Sequence, residues 1–225
     1  LPMYLVVFTV GGICEALFAV VRGHEINEGF LVTGFLIPLT MPPTVPLWML
    51  GFATIFGVVI GKEIFGGTGY NIFNPALTSR AFLFFAYPAY MSGNKPWIAP
   101  MDGLSSATPL LAKSSNVNIS YSWGDMFYGY IPGSIGETST FAILIGALIL
   151  LITGIGSWRI MLSTCIGMIL TSLLLNCLYK YGPLYDPAYT PGTMLSIDPF
   201  YHFVMGGFAF GMVFMATDPV SGSHS

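Results

Sequence analysis

The stretch Gly66–Pro75, GGTGYNIFNP, interrupts the most apolar part of the chain and decides the fold. It follows the run LWMLGFATIFGVVIGKEIF and precedes a second apolar run, ALTSRAFLFFAYP. Glycines end helices and an Asn-Pro pair starts them, so the pattern predicts a break between two helices, with Asn71 and Asn74 as its polar groups. An exposed loop is the alternative, because three charged residues lie close by, namely Lys62, Glu63 and Arg80.

The composition places this break in a membrane. Of 225 residues, 54% are hydrophobic and only 8% are charged, and the mean hydropathy is +0.75. A soluble domain carries about a quarter charged residues, so the lipid bilayer must be the solvent of this chain. Irregular backbone at membrane depth persists only where it is buried in protein or lines a cavity, which makes the break a candidate binding site. The net charge of −3 and the lack of a basic run indicate no nucleic-acid partner.

Membrane crossings follow from the apolar runs, since a helical span needs roughly 20 mostly apolar residues. Residues 2–21, 138–157, 160–179 and 199–217 meet that requirement, and with the broken helices of region 30–88 we expect about seven crossings, some incomplete. The predicted class is an all-α integral membrane protein with one transmembrane domain, residues 1–225. The abrupt start and end of the sequence predict a fragment of a longer chain.

An acidic residue lies within the first apolar run. Glu15 follows Gly11 by one helical turn and shares its face, next to Gly12. A carboxylate in a membrane span is costly and is by default a functional candidate. The paired glycines are typical of a helix-packing notch, and with Glu15 beside them a pocket for a flat ligand is an equal alternative.

Asp218 ends the last apolar run, just before Pro219. A carboxylate there could bind a cation or proton, but the Asp-Pro pair favours a simple turn. The cysteines Cys14, Cys165 and Cys177 lie in apolar runs without metal-ligand spacing, so no metal site is expected from this chain alone.

Two weaker signals concern transport and orientation. Asn74-Pro75-Ala76 is similar to the half-helix motif of aquaporins, which use two such motifs, so a flavin-free small-solute channel is an alternative from another class. Lysine and arginine are more frequent in cytoplasmic loops, so their number on each side indicates the orientation. The loops divide the seven basic residues into a set of four, taken as cytoplasmic, and a set of three on the outer side. The inner set would be Arg22, Lys62, Arg80 and Arg159, and the outer set Lys95, Lys113 and Lys180. That count places the polar region 88–137 on the outer face.

The most polar stretch of this region is Asp102–Leu111, DGLSSATPLL. Its small hydroxyl residues are compatible with a turn or with a site for covalent attachment, and composition alone favours the turn.

Four blocks together resemble one family of membrane redox subunits. They are RGHEINEGFLVTG, GKEIFGGTGYNIFNPALTSRAFLFFAYPAYMSG, DGLSSATPLL and HFVMGGFAFGMVFMATDPVSG. The family contains the NqrB subunit of the sodium-pumping NADH:quinone oxidoreductase and the RnfD subunit of the Rnf ferredoxin:NAD oxidoreductase, and the blocks here are more similar to NqrB. The resemblance implies inverted repeats like those of urea and ammonium transporters, in the inner membrane of a bacterium.

The resemblance also implies cofactors and sites. Thr108, in Ser105-Ser106-Ala107-Thr108, would carry FMN through a phosphoester that a flavin transferase installs on the periplasmic side. The family more often has glycine where this chain has Ser106. Riboflavin would bind near the broken helices, with Asn71 and Asn74 in its region. Further implied sites are a ubiquinone region at Gly11, Gly12 and Glu15, and sodium handling at Glu15 and Asp218.

The function implied is electron transfer from FMN through riboflavin to ubiquinone, coupled to Na⁺ export. No side chain is assigned a catalytic role. NADH oxidation would need other subunits of the complex, because the chain shows no nucleotide-binding motif. The Rnf subunit, which does not reduce quinone, is the alternative within the family.

Overall fold

The computed structural model describes residues 1–23, 25, 28–92, 97, 108–110, 121–181 and 197–222. These ranges contain helices and no strand. Three stretches of the described chain are long and apolar enough to cross a membrane: Pro2–Arg22, Leu47–Phe65 and Trp158–Lys180. The all-helical membrane class is thereby confirmed, while the count of crossings and the inverted repeats stay predictions.

The chain divides into two compact units. The first comprises Leu1–Pro96 with Ser134–Gly136, and the second comprises Trp97–Gly133 with Glu137–Ser225. The helices of the first unit are α1 (Pro2–Arg22), α2 (Phe30–Leu39), α3 (Leu47–Gly61), α4 (Pro75–Ala86) and α5 (Pro88–Met91), with a 3₁₀ turn at Glu63–Phe65. α2 ends at Leu39, and Pro42-Pro43 follows closely, where an α-helix could not continue.

Close contact between α3 and α4 organises the first unit. A Cβ atom added at Gly57 would lie 1.9 Å from Ser79 Oγ and 2.5 Å from the backbone oxygen of Pro75. One added at Gly61 would lie 3.1 Å from Thr78 Oγ1. Small residues let membrane helices approach backbone to backbone, so these two glycines determine where α4 begins relative to the end of α3.

The second unit contains α6 (Trp123–Tyr128), α7 (Thr140–Ile152), α8 (Trp158–Tyr181), α9 (Pro199–Val204) and α10 (Phe208–Phe210), followed by a π-helix at Gly211–Met215. Two predicted spans are less regular than expected. The span 138–157 is helical only over α7, because the chain turns at Gly154 with φ of 72°. The span 199–217 is divided into three pieces at Gly206-Gly207 and at the π-helix.

α8 presents most of its length to the outside of the unit, as a lipid-facing helix would. Two of its polar side chains serve the irregular backbone before α9: the half-buried Asn176 Nδ2 and the buried Ser172 hydroxyl both donate to the carbonyl oxygen of Ile197, at 3.0 and 3.5 Å. A carbonyl without a helical partner at membrane depth needs such a donor.

Candidate functional site

The predicted break between α3 and α4 is present. After the 3₁₀ turn, Gly66, Gly67 and Gly69 have φ of 131°, 91° and 95°. Only glycine adopts such values without strain, which explains why the stretch is rich in glycine. The chain reverses there and enters α4 at Pro75, the position where a missing N–H costs nothing.

The two asparagines of the break are buried and use polar atoms locally. Asn74 Oδ1 accepts hydrogen bonds from Ala76 N at 3.0 Å and Leu77 N at 3.3 Å, and so caps α4. Asn71 Nδ2 donates to the carbonyl oxygen of Phe73 at 3.1 Å. These hydrogen bonds shape the break itself, and a role of the two residues in ligand binding stays a prediction.

The charged residues beside the break are not the exposed charges on which the loop alternative rested, although Tyr70, Ile72 and Phe73 within the break are exposed. Lys62 and Glu63 are 2% and 1% exposed. Arg80 Nη1 donates to the carbonyl oxygen of Thr40, just past the end of α2, at 2.9 Å. Because Lys62 is buried, it is no loop charge, and the basic-residue count becomes three against three. The outer placement of region 88–137 therefore stays a prediction of the resemblance alone.

Lys62 is buried because it forms an ion pair with Glu15 across α1 and α3. The side chains are 3% and 7% exposed. Glu15 lies on the buried face of α1 together with Gly11, as the helical spacing predicted. The acid singled out from the sequence is thus part of a buried charge pair.

Phe30 from the start of α2 completes this group. A Cβ atom at Gly11 would lie 2.4 Å from Phe30 Cζ, so the phenyl ring fills the space beside that glycine. At Gly12 the corresponding distance to Phe30 Cε1 is 3.9 Å, an ordinary contact. This geometry makes Gly11 a packing notch. Lys62 Nζ lies 5.9 Å from the centre of the same ring, within cation–π range.

We call Gly11, Glu15, Phe30 and Lys62 the Glu15 cluster. Sequence reasoning named Gly11 and Glu15 as site residues, took Lys62 for a loop charge and did not single out Phe30. The available signal was the position of Lys62 within the apolar run GVVIGKEIF, where a charge needs a partner.

Thr108 belongs to the second unit. It is half-buried and precedes Pro109 directly. Two residues on, Leu110 Cδ2 lies 3.5 Å from where a Cβ atom on Gly206 would be, so the segment runs beside the glycine break that follows α9. Ser105, Ser106 and Ala107 lie outside the described residues.

Asp218, also in the second unit, shapes a turn. Its Oδ2 accepts hydrogen bonds from Ser221 N, at 3.2 Å, and from the Ser221 hydroxyl. The local geometry agrees with the turn that the Asp-Pro pair favoured. Sodium handling by Asp218 stays a prediction.

The sequence of the chain is similar to those of known proteins. Curated proteins named as the B subunit of Na(+)-translocating NADH-quinone reductase are similar to the chain, among them those of Chromohalobacter salexigens, at 57% identity over 99% of this chain and 53% of that protein, and of Ectopseudomonas mendocina, at 54% over 99% and 54%. That of Klebsiella pneumoniae is 54% identical over 100% of this chain and 54% of that protein. The chain spans about half the length of the curated relatives it matches. The NQR2, RnfD, RnfE family profile matches residues 1–225, and the chain therefore belongs to that family.

Proposed function

We propose that the chain is the membrane redox part of the NqrB subunit of a Na⁺-translocating NADH:quinone reductase. The observation that carries the proposal is the similarity to B subunits of that enzyme, at 57% identity over 99% of the chain. In the proposed complex, other subunits oxidise NADH, and this one passes electrons from FMN through riboflavin to ubiquinone, coupled to Na⁺ export.

Thr108 is the proposed attachment residue for FMN. Its hydroxyl is compatible with a phosphoester, and Pro109 biases the threonine toward an extended backbone that presents the hydroxyl to a flavin transferase. The small residues that precede it in the sequence would leave room for the phosphate. Bound there, FMN supplies reversible electron transfer, while the chain holds and positions it.

Riboflavin is proposed to bind near the break that contains Asn71 and Asn74. Asn74 Oδ1 and Asn71 Nδ2 already take part in hydrogen bonds within the break. We assign these atoms to the conformation of the break, and we propose that riboflavin is contacted through the other amide atoms, Asn71 Oδ1 and Asn74 Nδ2. The ubiquinone and sodium regions are proposed around the Glu15 cluster, where a buried carboxylate and an ammonium lie together at membrane depth.

Flavin fluorescence in a denaturing gel tests the proposal. The full-length subunit, expressed with its flavin transferase, should give a fluorescent band, and Thr108→Ala should abolish it. Ser105→Ala, which removes a nearby hydroxyl, should keep it. A wild-type band without fluorescence contradicts the flavoprotein assignment, and a band that survives Thr108→Ala contradicts only the attachment residue.

The choice of NqrB over its Rnf relative depends on quinone. The assembled complex should reduce ubiquinone with NADH, and a quinone-site inhibitor should stop that reaction. A complex that transfers electrons between ferredoxin and NAD and ignores the inhibitor would favour the Rnf alternative.

A further inference from the structure

The Glu15–Lys62 ion pair joins α1 to the end of α3 within the membrane-spanning part of the first unit. Each charged residue at the centre of a membrane helix costs about 2.5–3.5 kcal/mol on insertion scales. A pair of such residues therefore either stabilises the packing of α1 against α3, with the help of further hydrogen bonds, or has a functional role. The hydrogen bonds around the pair distinguish these two cases.

A buried ion pair stabilises a structure only when further hydrogen bonds satisfy its remaining lone pairs and protons. Across the ranges that the structure describes, Glu15 Oε1 and Lys62 Nζ contact each other, and neither makes a hydrogen bond to a third group. Such a pair is a poor structural link. No third group holds these two atoms in place, so another cation can replace the ammonium at Oε1 without breaking a further hydrogen bond of Nζ.

Lys62 also has somewhere to go when it leaves Glu15. It directly follows the last residue of α3, Gly61, and the last carbonyls of a helix carry partial negative charge. The Phe30 ring, 5.9 Å from Nζ, offers a second weak attraction. A lysine ammonium on its flexible stem can turn between such partners.

We propose that Lys62 is a tethered cation that competes with Na⁺ for the carboxylate of Glu15. When Na⁺ binds Glu15, the ammonium withdraws toward the Phe30 ring and the end of α3. When the ammonium returns, it displaces Na⁺ and speeds its release. Transport requires that an ion bind well enough to enter and weakly enough to leave, and a built-in competitor provides the second condition. The inference rests on the proposed function, since that function supplies the sodium ion.

The test uses the complete complex in bacterial membranes, assayed for NADH:quinone reductase activity over a range of Na⁺ concentrations. Two quantities are separated: the Na⁺ concentration that gives half-maximal stimulation, and the maximal rate. The variants are Lys62→Met, which removes the charge at similar length, and Lys62→Arg, which keeps it. Lys180→Met, at an exposed position near the end of α8, is the control.

Lys62→Met should lower the half-maximal Na⁺ concentration by at least about tenfold, the effect of one pK unit of charge interaction, and should also lower the maximal rate because Na⁺ leaves slowly. Lys62→Arg should raise the half-maximal concentration, because a guanidinium binds a carboxylate through two hydrogen bonds and competes more strongly. Lys180→Met should change neither quantity.

Glu15→Gln completes the design. It should raise the half-maximal Na⁺ concentration, and adding Lys62→Met to it should not lower that concentration, since the carboxylate under competition is gone. The neutral double variant and Lys62→Arg both avoid an unpaired buried charge, so they keep the test decisive if Lys62→Met fails to assemble.

The results for the wild type and for the Lys62 variants test the proposed function and the proposed competition between Lys62 and Na⁺ separately. If the wild type is stimulated by Na⁺ but the Lys62 variants keep its half-maximal concentration, the competition is refuted and the proposed function stands. Equal losses of rate in Lys62→Met and Lys62→Arg, without a shift in Na⁺ dependence, would make Lys62 a structural residue. A wild-type complex whose activity ignores Na⁺ overturns the proposed function and the competition together.

Discussion

Replacing Gly57 by alanine should destabilise the first unit by about 1–3 kcal/mol. The new methyl group would lie 1.9 Å from Ser79 Oγ and 2.5 Å from the backbone oxygen of Pro75. Ser79 can rotate away, but it then loses its 2.9 Å hydrogen bond to Pro75, worth about 1 kcal/mol. The Pro75 oxygen cannot move without α4, so overpacking adds about 1–3 kcal/mol. Alanine's better helix propensity returns about 1 kcal/mol.

Gly51→Ala is the matched control, because it makes the same change in the same helix. Its methyl group would lie 3.8 Å from Val6 Cγ1 and 3.9 Å from Val10 Cγ2, ordinary contacts without strain. We expect that variant to be as stable as the wild type or more stable by up to about 1 kcal/mol.

The measurement is unfolding of the purified complex in mixed micelles, followed by circular dichroism as denaturing detergent increases. The Gly57→Ala complex should unfold at clearly lower denaturant than Gly51→Ala. Adding Ser79→Ala should recover only part of the loss, since the clash with the Pro75 oxygen remains. Equal midpoints for the two glycine variants would show that α3 and α4 do not approach as closely as described, and would refute the reasoning.

Three further variants probe the break, the Glu15 cluster and α6. Asn74→Ala should cost about 1 kcal/mol in the same unfolding assay through the lost cap, and an unchanged midpoint would remove the capping role. Gly11→Ala should destabilise the protein, and Phe30→Leu should relieve part of that loss if Gly11 is a packing notch; additive effects would favour a ligand pocket. Hydrogen bonds from the Ser122 hydroxyl and N–H lower the pKa of Asp125. The cap therefore stabilises α6 fully at pH values above the ordinary pKa of Asp, and this stabilisation is lost as the pH falls through the lowered pKa. Amide protection of α6 should decrease in acid, and less so in Ser122→Ala.

Features set by neighbouring residues were predictable from the sequence. The break at Gly66–Pro75 follows from glycines that reach positive φ and from an Asn-Pro start, and both act within a few residues. The pairing of Gly11 with Glu15 follows from helical spacing alone. Local steric and hydrogen-bond rules suffice for such features.

Lys62 and Phe30 were not predictable in the same way. Lys62 looks like a loop charge until α1 supplies Glu15 as its partner, and Phe30 gains its role only where α2 crosses Gly11. Burial of a charge depends on residues distant in sequence, which a local pattern does not contain. The irregular backbone of residues 199–217 was not predictable for another reason. Hydropathy averages over composition and does not show where the backbone leaves the α-helical hydrogen-bond pattern.

The π-helix Gly211–Met215 has a consequence for sequence length. Its bond from Ala216 N to the oxygen of Gly211, at 2.8 Å, spans five residues, one more than an α-helical bond. The turn therefore behaves like an α-helix with one inserted residue, and each residue rotates the remainder of the helix by about 100°. Deleting a single residue from this turn would swing the Asp218 carboxylate about a quarter of the way around the helix axis, without altering one side chain in its own loop. A one-residue gap in this region of a related protein would thus mark a reoriented acid.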